Sequence, residues 1–115
     1  MAFTDSDKKQ VDRILQKFWH KNRPPEHAKH QVELSYEIKN QSVEIFLIRT
    51  FWQDKSQTVR EPIAKATYVK KSRKWKIYWQ RADMRWHLYM PYPEATNLKI
   101  VLQVVEEDSY GCFWG

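Results

Sequence analysis

Only one cysteine, Cys112, occurs in the 115 residues, and both glycines, Gly111 and Gly115, sit with it in the closing GCFWG. A single thiol forms no intrachain disulfide, so a reducing cytoplasm is the expected compartment. With glycine confined to the last five residues, no Gly-rich phosphate loop fits anywhere in the chain. Long apolar runs are missing too. The uncharged apolar stretches span only a few residues, as in Ile45 to Ile48, against the roughly 18 that a membrane-spanning helix needs. The opening MAFTDSDKKQ has neither the apolar core nor the cleavage pattern of a secretion signal. No membrane partner is therefore expected. Two glycines and five prolines are also too few for a fibrous or disordered class.

What is present is aromatic and basic. The length fits one domain, residues 1–115, with a core of its own. Six Trp, six Tyr and five Phe supply large rings for that core and for recognition surfaces. The net charge of +6 is uneven: Lys55 to His87 holds ten Lys or Arg against Glu61 and Asp83, a balance of +8, and the rest sums to −2. Such a localised positive field attracts polyanions.

Periodicity organises the chain. Val11, Ile14, Leu15, Phe18 and Trp19 form one helical stripe, with Asp5 or Ser6 as the expected cap and an end before Pro24 and Pro25. From Gln31 the period becomes two: Val32, Leu34, Tyr36 and Ile38 alternate with Glu33, Ser35, Glu37 and Lys39. A second strand, VEIFLIRTFWQ, is apolar on both faces, with Phe46, Ile48 and Trp52 opposite Val43, Ile45, Leu47 and Phe51. Further strands are expected over about 60–70, 74–80 and 84–90. Their connections are too short for parallel crossovers, which makes the sheet an antiparallel meander. Pro62 is tolerable if it lies beyond the reach of the fourth strand. A second helix follows Thr96 or Asn97, with Leu98, Val101, Leu102 and Val105 inward and EED at its end. The expected fold is α+β: an amino-terminal helix, a five-stranded antiparallel meander and a carboxy-terminal helix, both helices on one face.

The GCFWG tail resembles the active-site motif of the A-type peptide methionine sulfoxide reductases, whose cysteine attacks a sulfoxide as a thiolate held at a helix start. In those enzymes most of the catalytic domain follows the motif, whereas here Gly115 ends the sequence and its carboxylate lies three residues from Cys112. The expectation is therefore a docked tail: Gly111 left-handed after the helix, Cys112 a small apolar group, Phe113 and Trp114 packed on the core. A wider match runs through WKIYW, RAD and WHLY to the final D and GCFWG. In these pieces the chain resembles a family of short bacterial proteins catalogued as domain of unknown function 3024. That resemblance implies a small cytoplasmic α+β protein, with no activity and no site residues assigned.

Three constellations carry chemistry. The first is basic and aromatic: Lys70, Lys71, Arg73, Lys74 and Lys76 precede or enter the fourth strand, where Lys74, Lys76, Tyr78 and Gln80 share a face opposite Trp75, Ile77 and Trp79. If Arg85, His87 and Tyr89 of the fifth strand join that face, cations and rings form one patch suited to single-stranded nucleic acid. The second is His20, His27 and His30 with Cys112, which lacks compact metal-ligand spacing, so no metal and no cofactor are expected. The third is Asp83 with Arg81, Arg85 and His87, read as a hairpin turn rather than an acid–base pair. The expectation is binding rather than catalysis, with single-stranded nucleic acid the leading partner. The alternative is a protein-interaction or homodimeric domain built on Phe46, Ile48 and Trp52. A Cys112-dependent redox enzyme comes third.

Overall fold

A computed structural model describes residues 3–23, 32–50, 53 and 56–114. Helix α1 spans Asp5–Asn22. Its cap is Thr4, one residue before the expected Asp5 or Ser6, because Thr4 and Asp7 close a capping box: Asp7 N donates to Thr4 Oγ1 and Thr4 N to Asp7 Oδ2, each at 3.1 Å. The helix stops where the sequence requires. Arg23, the residue before Pro24, is extended at φ −63° and ψ 148°.

Strands β1 (Val32–Lys39), β2 (Ser42–Thr50), β3 (Thr58–Val69), β4 (Lys74–Gln80) and β5 (Trp86–Leu88) form an antiparallel sheet in chain order. A two-residue strand, β6 (Glu94–Ala95), shares the free edge of β4 with β5. Pro62 pairs with Phe46 of β2 but lies beyond Lys65, the last β3 residue to pair with β4, so its missing N–H breaks no bond toward β4. A bulge beside Ile45 and Phe46 absorbs Ile63 in the β2–β3 register. Phe51 and Trp52, expected at the end of the second strand, lie outside the described residues.

Helix α2 (Leu98–Glu107) is capped by Asn97, whose side chain accepts from Ile100 N at 2.9 Å. Both helices lie on one face of the sheet. Val11, Leu15 and Phe18 of α1 and Leu98, Val101, Leu102 and Val105 of α2 join Leu34, Val43, Ile45, Ala64, Ala66, Trp75 and Ile77 in a single core. Two further bonds fix α1. Trp19 Nε1 donates to the Leu34 carbonyl at 2.6 Å, occupying the otherwise open edge of β1, and Tyr36 donates its hydroxyl to Asp12 at 2.6 Å. The helices are tied to each other by Glu106, which accepts from Lys21 and Asn22, each at 2.9 Å.

Asp108 takes the left-handed conformation that ends α2, with φ 41° and ψ 53°, ahead of the left-handed Gly111 that the sequence led one to expect. Its carboxylate then accepts from the backbone N–H of Phe113 at 3.0 Å and of Trp114 at 2.9 Å. Trp114 Nε1 donates to the Val105 carbonyl at 2.8 Å, and Gly111 makes its own left-handed step at φ 67°. Phe113 enters the core beside Tyr89. The tail is thus clasped to the helix it follows.

Candidate nucleic-acid interface

The sheet has a covered face and an outer one, and register decides which side chains reach the outer one. On β4 the division follows the sequence: Trp75 and Ile77 are in the core, while Lys74, Lys76, Tyr78 and Gln80 face outward. On β5 the expected phase is reversed. Trp79 pairs with His87, Tyr78 with Leu88 and Gln80 with Trp86. Directly opposed residues share a face, so Trp86 and Leu88 stand beside Tyr78 on the outer side, and His87 and Tyr89 belong to the covered side. The cause is local. Met84 adopts a left-handed φ of 64°, the loop closes by Arg81 N to Arg85 O at 3.2 Å, and the strand starts at Trp86 rather than Met84.

The nine candidate residues therefore separate. Lys70, Lys71 and Arg73 lie exposed in the β3–β4 turn, where Arg73 is left-handed at φ 55°. Lys74 is exposed with its ammonium 3.9 Å from Glu94, and Lys76 stands half-buried between Thr67 and Glu94 in the register. Tyr78 is half-buried between Lys65 and Leu88. Arg85 is exposed in the β4–β5 turn, at the other end of β4 from Lys74. His87 faces away from the patch, its Nε2 held 2.8 Å from Asp83 Oδ2. Tyr89 is 2% exposed, its ring against Phe113, so it has no free face for a base to stack on. Two residues outside the expected set replace the pair: Trp86, and Lys65, whose ammonium lies 6.0 Å from the Trp86 ring centroid. Lys65 was legible in the sequence through its alternation with Ala64 and Ala66. Trp86 depended on a phase that three residues of strand do not fix.

The other constellations change little. Asp83 accepts from the Arg85 backbone N–H at 2.9 Å, and this bond, with the one to His87, holds its carboxyl below the usual range. It is the turn residue expected. His27 and His30 lie outside the described residues, and His20 sits edge-on to Trp19; among the described residues no three metal-ligating side chains gather. Burial, and then the Asp108 carboxylate, push the Cys112 thiol up, and its Sγ lies 3.9 Å from the Tyr110 carbonyl. A reactive thiolate needs the opposite surroundings. The apolar surplus of β2 is partly covered: Phe46 is only 6% exposed because the Arg60 guanidinium stacks 3.6 Å from its ring, held there by Glu37 at 2.8 Å and Glu44 at 3.4 Å.

Fold and patch together define a class: a two-layer α+β domain, with two helices backing an antiparallel sheet whose other face carries cations and rings. Residues 3–115 match the family model described as Domain of unknown function (DUF3024), and the chain belongs to that family. No curated protein and no solved structure matches it. Among the described residues no helix is long and apolar enough to cross a membrane.

Proposed function

We propose that this domain binds single-stranded nucleic acid along the outer face of β3, β4 and β5. The observation that carries the reading is the grouping of Lys65, Lys74 and Lys76 with the half-exposed rings of Tyr78 and Trp86 on a face no described helix covers. Ammonium groups neutralise phosphates, while flat rings stack on bases without demanding a sequence. Unstacked bases are accessible only in single strands, so strandedness is the discriminating property. Lys70, Lys71 and Arg73 extend the cationic path around the turn at one end of β4. With one thiol and no disulfide to protect, the cytoplasm is the compartment we infer.

The test is a fluorescence-anisotropy titration of labelled single-stranded RNA, single-stranded DNA and duplex DNA at about 50 and 200 mM salt. Three phosphate contacts give a log–log salt slope near −2 for a single strand. Binding that favours single strands, quenches tryptophan and weakens in K74E/K76E supports the reading. Binding that ignores strandedness and disappears at the higher salt overturns it.

A further inference from the structure

A shallow depression of about 340 Å³ opens on the outer face beside Trp86, bordered by Glu37 and Lys39 of β1, Glu44 of β2 and Arg60 of β3. That volume is at the low end of ligand sites and holds one ring system rather than a length of chain. Its formal charges cancel, Lys39 and Arg60 against Glu37 and Glu44, so it attracts neither a phosphate nor a free cation. A neutral group with donors and acceptors on its edge is what fits.

Arg60 makes the site flat. Phe46 backs its guanidinium, 3.6 Å from the ring centroid, while Glu37 and Glu44 hold Nη2 at 2.8 and 3.4 Å. The plane is therefore fixed before any ligand arrives, and the side chain still stands 48% exposed on the side away from Phe46. A base stacks on such a plane as it does on an aromatic ring. Each carboxylate bonds Arg60 through Oε2, which leaves Oε1 to accept from a ligand.

We propose that this depression reads one base of the bound strand and selects guanine. The inference rests on the single-strand reading above and adds a preference to it, because stacking on Trp86 alone is indifferent to sequence. The edge decides. Along its Watson–Crick edge guanine presents the N2 amino group, N1–H and O6 in that order: two neighbouring donors and then an acceptor. A carboxylate accepts from both donors, and an ammonium beside it donates to O6. Glu44 and Lys39 supply that pair as diagonal neighbours across β1 and β2, within reach of each other's long side chains. Adenine and cytosine set an acceptor next to their amino donor, and uracil has a single N–H between two carbonyls, so each turns a lone pair toward the carboxylate. Glu44 is the reader, since its bond to Arg60 is the longer of the two; Glu37 positions the guanidinium. The two glutamates, which would repel phosphates, are thereby placed toward bases while Lys65, Lys74 and Lys76 take the backbone.

The experiment is an anisotropy titration of the full chain with labelled uridine strands about twelve nucleotides long, the central uridine kept or replaced by guanosine, adenosine, cytidine or inosine. A single guanosine keeps the strands from folding on themselves. The guanosine strand should bind at least about fivefold more tightly than the uridine, adenosine and cytidine strands. Inosine lacks the N2 amino donor, so its strand should lose part of that advantage on the unaltered protein. Glu44→Gln keeps the shape and an oxygen for Arg60 but exchanges one acceptor for a donor; it should reduce the preference to below about twofold and leave affinity for the uridine strand within about twofold. Melts followed by circular dichroism identify the folded variant. Equal affinity for all five strands overturns the guanine preference and leaves single-strand binding standing, whereas no binding to any strand removes both. A preference that inosine keeps in full, or that a folded Glu44→Gln protein keeps in full, overturns the proposal as well.

Discussion

The ring of Phe113 lies 4.7 Å from that of Tyr89, tilted by 48°, and both side chains are sealed from solvent. One contact thereby joins the residue that follows β5 to the tail and removes Tyr89 from any surface role. Phe113→Ala opens a cavity beneath the end of α2 and should cost about 3–5 kcal/mol. Urea denaturation of the two alanine variants and their double mutant should give a coupling of about 1 kcal/mol between the rings. Additive losses would mean that each ring packs independently.

Asp108 should matter through both its backbone and its carboxylate. The two N–H bonds from Phe113 and Trp114 contribute on the order of 1 kcal/mol each, and a left-handed alanine costs about 1 kcal/mol more. Asp108→Ala should therefore destabilise by about 3 kcal/mol and Asp108→Gly by about 2, since glycine accepts the conformation and loses only the bonds. Equal losses would assign the whole effect to the carboxylate.

Much of this fold can be read from periodicity because long elements average over many positions. The α1 stripe, the alternation of β1 and that of β4 each repeat enough times to fix their faces. The phase of β5 does not: its three residues follow a loop in which Met84 turns left-handed, and a shift of one residue exchanges Trp86 for His87 on the outer face. The tail clasp was hidden for a different reason. In sequence EED reads as an unfavourable charge cluster at a helix end, yet the Asp108 carboxylate points to the N–H groups of the following tail, a partner that only the folded chain supplies.

The thiol of Cys112 should be sluggish. Burial and Asp108 raise its pKa above the ordinary thiol value, so alkylation by iodoacetamide at pH 8 should be several-fold slower than for a free cysteine. Its rate should rise with a midpoint above about pH 8.5. A midpoint below pH 8 would restore the redox reading, and methionine sulfoxide turnover compared with Cys112→Ser would then decide it.

Stability should fall at both extremes of pH, through different groups. Glu37 is held below its usual pKa by its hydrogen bond from Arg60 and by that cation's charge; for Glu106, burial pushes upward but is outweighed by bonds from Asn22 and Lys21. A depressed carboxylate contributes stability that is complete above the unfolded value and is lost as pH falls through the folded one, so melting temperature should drop below about pH 4. Tyr36 is the reverse. Burial, then its bond to Asp12, push it up to about 12, so its contribution is complete below pH 10 and lost as pH rises from 10 through 12. In a 295 nm titration of the six tyrosines, Tyr36→Phe should remove a late step. Burial also pushes Tyr89 up, so one late ring remains in the variant; a late phase of undiminished amplitude would mean that Tyr36 ionises with the exposed rings.

The register of β5 makes the sharpest prediction for the interface. Trp86 stands on the outer face beside Tyr78 and Lys65, whereas His87, one residue on, is turned to the other side and bound to Asp83. A base stacked on an aromatic ring contributes about 1–3 kcal/mol. Trp86→Ala should accordingly weaken single-strand binding by roughly 5- to 150-fold, with Trp86→Phe retaining most of the affinity. His87→Ala should leave affinity within about twofold, because it loses only a hydrogen bond to Asp83 in the exposed turn and removes no ring from the outer face. Anisotropy titrations on folded variants read this directly. The opposite order, His87 essential and Trp86 dispensable, would place the binding surface on the helical side of the sheet and exclude the outer face.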